Sequence, residues 1–210
     1  MTAIDDARHR GGRMPRVARR RQLLSAAQEV FVAHGYHAAA MDDIADRAGV
    51  SKPVLYQHFP GKRELYLALL DESIQALIEA VREALASTTD NKQRVHATVR
   101  AYFSFIEDQR GAFKLVFESD LVGEPAVRER VDEVGRVCAE AISEIIAQDT
   151  GLPAAESHLL AAGLAGIAQV TARAWAAGAD SMPRETAVNL VASLVWRGIS
   201  GFPRKDDRPA

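Results

Sequence analysis

Apolar positions recur along this chain at steps of three and four residues, and no stretch alternates apolar with polar in the manner of a half-buried strand, so the pattern predicts an all-α protein. A first helix is expected over about residues 16–34, with Leu23, Leu24, Ala27, Val30 and Phe31 on one face. It stops at Gly35, a residue that tolerates a left-handed cap. Two short helices follow, over about 41–48 and 52–59, and end at the breaker pair Pro60-Gly61. From Lys62 a long helix carries Tyr66, Leu70, Ile74, Leu77, Val81 and Leu85 before dissolving in the polar run 87–91. A helix over about 92–109 has Val95, Val99, Tyr102, Phe103 and Ile106 on its apolar side, and a short aromatic segment occupies 112–119. After Gly123-Glu124-Pro125 comes a helix striped by Val127, Val131, Val134, Cys138, Ile142 and Ile145, closing before Gly151. The last two helices are expected at about 154–177, rich in Ala and Gly, and 183–200, with Val188, Val191, Val195 and Ile199. Small residues let helix axes approach closely, which suits a helix pair that meets the same pair of a second copy.

Composition narrows the class. A chain of 210 residues that is 48% hydrophobic can bury a sizeable core. Cys138 is the one cysteine, so an internal disulfide is excluded, and the opening residues do not read as a secretory leader; a reducing cytoplasm is expected. The longest nearly uncharged stretch, 159–171, falls short of the roughly 17 to 25 apolar residues that cross a bilayer, so no membrane association is expected. The net charge of −2 conceals an asymmetry: residues 1–62 hold 10 Lys and Arg against 6 Asp and Glu, whereas the remainder is acidic. A basic head on an acidic body suits contact with a polyanion at one end.

The segment 41–59 carries the chemistry. Ala45 is small enough for one helix to cross close above another, Gly49 can take the positive φ of a tight turn, and Ile44, Val50 and Leu55 fill the wedge between them. Ser51 is placed as an N-cap and Pro53 falls early enough to be tolerated. This is a helix-turn-helix, whose second helix enters the major groove of double-stranded DNA. Ser51, Lys52 and Pro53 would face bases or the adjacent backbone, with Lys52 the candidate for guanine O6/N7; Tyr56, His58 and Lys62 would hold phosphates.

The ordered residues Leu23-Leu24-x-Ala26-Ala27, Phe31, Gly35-Tyr36, Ile44-Ala45, Ala48-Gly49-Val50-Ser51, Leu55-Tyr56-x-His58-Phe59 and Lys62-x-x-Leu65 resemble the TetR family of one-component regulators over about residues 16–76. The resemblance implies a three-helix DNA-binding head, a larger helical ligand-binding and dimerisation domain, and repression released by a small molecule. It places a flexible Arg-rich arm at 1–15, the head at 16–62, the larger domain at 63–202 and a polar tail at 203–210. The sequence departs from the pattern at Ala39-Ala40, where the family often has Thr or Ser, so a helix cap and a phosphate contact are missing. Asp42 and Asp43 can compensate the helix dipole, and the arm, with Arg8, Arg10, Arg13, Arg16, Arg19, Arg20 and Arg21, can supply backbone or minor-groove contacts.

For the effector, the resemblance suggests a pocket lined by Tyr102, Phe103, Phe113, Phe117 and Trp175, with His96 and Arg100 orienting the ligand; plain core packing and a solvated helix face explain the same residues. No cofactor is expected. The six histidines and Cys138 show no metal-ligand spacing, and no nucleophile elbow or phosphate loop is present, so metal binding and catalysis are not expected. A two-fold homodimer through the last two helices would set two recognition helices one DNA turn or more apart, about 34 Å per turn, and would call for a pseudo-palindromic operator. A body that binds another protein instead of a small molecule, and activation instead of repression, are the alternatives.

Overall fold

The computed structural model of the chain describes residues 14–108, 121, 123–178 and 182–198. Among these the structure is all α: α1 (Arg16–Ala38), α2 (Met41–Ala48), α3 (Lys52–His58), α4 (Lys62–Ala86), α5 (Asn91–Asp108), α6 (Pro125–Thr150), α7 (Ala154–Ala177) and α8 (Arg184–Arg197). Three helices form an N-terminal head, and α4 leaves it to become part of a larger helical body.

The head is shaped by two glycines. Gly35, at φ 74° and ψ 167°, breaks α1 near its end and turns the chain toward α2. Gly49 takes the left-handed conformation, φ 64° and ψ 36°, so that its own N–H donates to the Asp46 carbonyl and that of Val50 to the Ala45 carbonyl. Those two bonds satisfy carbonyls that the end of α2 would otherwise leave open, and they fix the angle at which α3 departs. Around this turn Leu23, Ala27 and Phe31 of α1, Ile44 and Ala45 of α2, and Leu55 of α3 are buried. Ala39, where the family often carries Thr or Ser, is also buried, so a small apolar side chain is what this junction accommodates.

At 25 residues, α4 is about 37 Å long. It packs on α1 at one end and on α5 and α6 beyond, so it belongs to head and body at once. In the body α6 and α7 form the most extensive pair, α8 lies on α5, and α7 closes against α5 and α8. Asp90 explains why α5 starts a residue earlier than periodicity predicts: its carboxylate accepts the Gln93 N–H at 2.9 Å. The α8 helix starts one residue later, after Pro183, and ends at Arg197 before Gly198; residues 199 and 200 of the expected helix, the arm through residue 13, the tail 203–210 and the whole aromatic segment 112–119 lie outside the described residues.

One expectation needs correction. The apolar run is a continuous 24-residue helix, α7, long and apolar enough by length and composition to cross a membrane. Its Ser157, Ala161, Ala165, Ala168 and Ala172 are buried, whereas Leu159, Leu160 and Val170 are exposed. A small-residue face lets α6 approach, and the opposite face keeps large apolar side chains uncovered in the single chain.

Candidate nucleic-acid interface and a separate cavity

With only seven residues, α3 turns Leu55 wholly inward and leaves Ser51, Lys52, Pro53 and Tyr56 exposed on the outer side. Ser51 holds the N-cap position, and its carbonyl accepts the Val54 and Leu55 N–H groups, but its hydroxyl makes no capping bond. Tyr56 is 48% exposed. Lys52 does not stand alone: its ammonium donates to Asp42 Oδ2 of α2 at 2.6 Å, and this hydrogen bond and charge raise its pKa.

The basic residues at the start of α1 divide between two surroundings. Arg19 donates to Gln22 Oε1 at 2.8 Å, and Gln22 donates in turn to the Ala48 carbonyl, tying α1 to the turn between the motif helices. The Arg20 guanidinium lies 5.0 Å from the centre of the Phe59 ring. Burial, then the charges of Arg16, Arg19 and Arg20, lowers the His58 pKa. Arg19, Arg20 and His58 thus share the edge of α3, whereas Arg21, together with Arg20, lines a groove shared with Asp71 and Glu72 of α4.

Lys62, expected to hold a phosphate, meets partners within the chain. Its ammonium donates to the carbonyl oxygens of Tyr36, His37 and Ala39 at 2.9, 3.2 and 2.9 Å and lies over the Tyr36 ring. An ammonium has three N–H donors, and all three are engaged. Lys62 therefore clamps the start of α4 to the chain between α1 and α2. At the empty cap Ala40, the Asp43 carboxylate accepts the Ala40 N–H at 3.2 Å, half of a capping box. Motif spacing gave no sign of Gln22, of the Lys62 clamp or of the Asp42 contact, because each joins residues on different helices.

In the body the described residues expected to line a pocket make contacts within the chain. His96 Nε2 meets Asn189 Oδ1 at 2.9 Å and Arg100 donates to Glu185 at 2.6 Å, so both tie α5 to α8 at the surface. Tyr102 is buried and hydrogen-bonded to Cys138, and burial pushes both groups' pKa values up. Phe103 is buried with its ring centre 5.3 Å from that of Trp175, whose indole N–H donates to the Met182 carbonyl. These are core and surface contacts. Phe113 and Phe117 lie outside the described residues.

A cavity of about 330 Å³ opens at the end of the body remote from α3. Leu85 of α4, Val95 and Val99 of α5, Ile142 and Ile145 of α6 and Ala165 of α7 form apolar wall, with Arg94 and Asp149 paired at 3.1 Å among the lining residues. Thr98 also lines it, and its buried hydroxyl has no hydrogen-bond partner among the described residues. Its volume falls at the lower end of the roughly 300 to 1,000 Å³ typical of small-molecule sites. Helix α6 links this end to the head: Ile142, Ile145 and Ile146 reach the cavity, while Glu124, preceding its first turn, accepts from Arg63 Nε of α4 at 2.8 Å. Among the described residues no cluster of three or more His, Cys, Asp or Glu could hold a metal ion.

Residues 23–69 match the family model for bacterial regulatory proteins of the tetR family, and residues 91–198 match that for the tetracyclin repressor-like C-terminal domain. The chain is 48% identical over 194 residues, 92% of its length and 89% of the relative's, to the HTH-type transcriptional activator FasR of Mycolicibacterium smegmatis. Its fold is similar to the crystal structure of a TetR-like transcriptional regulator from Rhodococcus sp. RHA1, with a TM-score of 0.71 and 26% identity over 90% of this chain and all of that one. It is also similar in fold to FadR from Bacillus subtilis, solved in complex with stearoyl-CoA, with a TM-score of 0.70 and 22% identity over 85% of this chain and 98% of that one.

Proposed function

Because the chain belongs to the TetR family of bacterial regulatory proteins, we propose that it works as a homodimer that grips a pseudo-palindromic operator through α3 and responds to a long acyl thioester held in the body. Its coarse activity is DNA-binding regulation of transcription. The observation that carries the site is the outer side of α3, where Lys52, Pro53 and Tyr56 are exposed beside Arg19, Arg20 and His58 while Leu55 anchors the helix from behind. Lys52 reads base edges, Tyr56 and the two arginines hold phosphates, and Lys62 acts indirectly by fixing the head on α4. The head comprises about residues 16–62 and the body 63–202, and action on chromosomal DNA places the protein in the cytoplasm.

The effector class rests on the apolar cavity and on the stearoyl-CoA bound by a protein of the same fold. Apolar walls suit an alkyl chain, and Thr98 offers a hydrogen-bonding group to a polar atom of the ligand. Filling the cavity would press on the far end of α4 and on α6, whose other end holds Arg63, and so shift the population between two head spacings. The resemblance suggests repression; the relative named a transcriptional activator, similar over nine-tenths of the chain, supports activation here. The second copy would cover Leu159, Leu160 and Val170 of α7 and Leu190 and Trp196 of α8, all exposed in the single chain.

The test is selection of bound fragments from bacterial genomic DNA at moderate salt, with and without stearoyl-CoA, beside a Lys52→Ala, Tyr56→Ala double variant. An inverted repeat enriched only by the natural sequence, with occupancy altered by the thioester, is expected. Enrichment that survives the double substitution would remove α3 from the interface, and occupancy indifferent to the thioester would remove that effector class.

A further inference from the structure

Asp42 occupies an unexpected place for a carboxylate on a DNA-binding surface. It lies in the first turn of α2, its side chain is 55% exposed, and it holds the ammonium of Lys52, itself 61% exposed, across the two motif helices. Stability gives little reason for the pair, since ion pairs this open to water contribute about 0 to 1 kcal/mol. Electrostatics alone argues against it, because an acid beside phosphates weakens binding to every sequence. Its neighbour Asp43 serves the Ala40 N–H, and Asp46 acts on Lys52 only through its charge. Asp42 is therefore the carboxylate that shares a position with the base-reading lysine.

We propose that Asp42 is a specificity-determining residue, and that Asp42 and Lys52 together read one G·C pair in each half-site. This rests on the reading of α3 as the recognition helix. In the major groove a G·C pair shows, in order, two acceptors on guanine, N7 and O6, and the cytosine N4 donor. An ammonium with a carboxylate 2.6 Å away offers the complementary order, donor then acceptor: Lys52 meets N7 and O6, and Asp42 accepts from N4. Two of the other three pairs fail at the same positions. An A·T pair sets the adenine N6 donor against the ammonium and thymine O4 against the carboxylate, and C·G sets cytosine N4 against the ammonium and guanine O6 against the carboxylate; T·A offers O4 and N6 in the matching order but puts the thymine methyl, in place of an acceptor, where the ammonium meets guanine N7. A lysine alone would tolerate any exposed acceptor, so the carboxylate supplies the discrimination by repelling the wrong edges. Because the two charges offset one another, the couple adds little to non-specific attraction.

The experiment is selection from a randomised double-stranded operator library by the full chain, comparing the natural sequence with Asp42→Asn, Lys52→Ala and the double variant. All four are first shown to melt alike, which exposed positions permit. The natural sequence is expected to enrich G·C at one position per half-site. Each single variant should lose that preference at that position, by about fivefold or more, and the double variant should lose no more than either single one. If Asp42→Asn instead tightens binding to all sequences alike, or changes a position that Lys52→Ala does not, the carboxylate is no reader and the inference fails. If the natural sequence enriches no inverted repeat at all, the reading of α3 beneath it fails as well, a result distinct from the other two.

Discussion

Head and body solve opposite packing problems with the same kind of helix. In the head three helices close tightly around Leu23, Ile44 and Leu55, and the side chains proposed to meet DNA stand outside on α3. In the body five helices leave about 330 Å³ unfilled between α4, α5, α6, α7 and α8, and the proposed effector would lie against that inner wall. A small unit whose function is on its surface needs a rigid interior, because a shift in Leu55 or Gly49 would re-aim every side chain of α3. A unit whose function is a ligand inside it needs an interior that can be filled in more than one way. The two meet at Lys62 and Arg63, where one residue clamps the head and the next reaches α6.

The sharpest test of this contrast is a cavity cut into the head. Ile44→Ala should cost about 2–5 kcal/mol and abolish operator binding, read by chemical denaturation and a binding assay, because Ile44 is fully buried in the wedge between the helices. A loss well below that range would mean that the head is as loosely packed as the body. The converse change fills the body. Leu164→Phe, on the cavity wall at a half-buried position, should cost less than the roughly 1–3 kcal/mol of overpacking a full core, while weakening stearoyl-CoA binding about tenfold or more and leaving operator binding without ligand intact. Unchanged thioester binding by calorimetry would separate the ligand from this cavity.

Two smaller effects probe the junction and the DNA face. Glu124→Gln breaks the partly exposed pair with Arg63; it should lower stability by under about 1 kcal/mol yet reduce the change in operator affinity that the effector produces. An unchanged coupling would assign transmission to α4 alone. His58 gives the smallest signal. Its pKa lies below the ordinary 6.5, so the folded chain binds fewer protons there than the unfolded one, and this contribution to stability is whole above 6.5 and lost as pH falls from there through the lowered folded value. Phosphates would offset the neighbouring arginine charges and raise the pKa again. DNA binding should therefore take up a proton and tighten modestly between about pH 7.5 and 6, and His58→Gln should flatten that slope.

How far the sequence reached differs between the same two regions. The head was legible because each motif position has a local mechanical demand: a residue free to adopt positive φ at Gly49, a small one at Ala45, apolar wedges at Ile44 and Leu55. The element boundaries of the body were legible from periodicity and from breakers such as Gly151-Leu152-Pro153. The pocket was not. Tyr102, Phe103 and Trp175 fill core instead of lining a cavity, and the wall comes from Val95, Val99, Ile142 and Ala165, residues that look like any other core positions in one dimension.

The all-α class, the helix-turn-helix and the order of helices follow from 3.6-residue periodicity and from turn chemistry within a few neighbours, and so could be read along the chain. What each long side chain does depends on how the helices pack together. Lys62 holds carbonyls between α1 and α2, Lys52 pairs with Asp42, and His96 and Arg100 tie α5 to α8. The reason is physical: a charged or polar group takes the nearest partner in space, 10 to 93 residues away along the chain in these contacts, and whether a space between helices is filled depends on all the side chains around it at once.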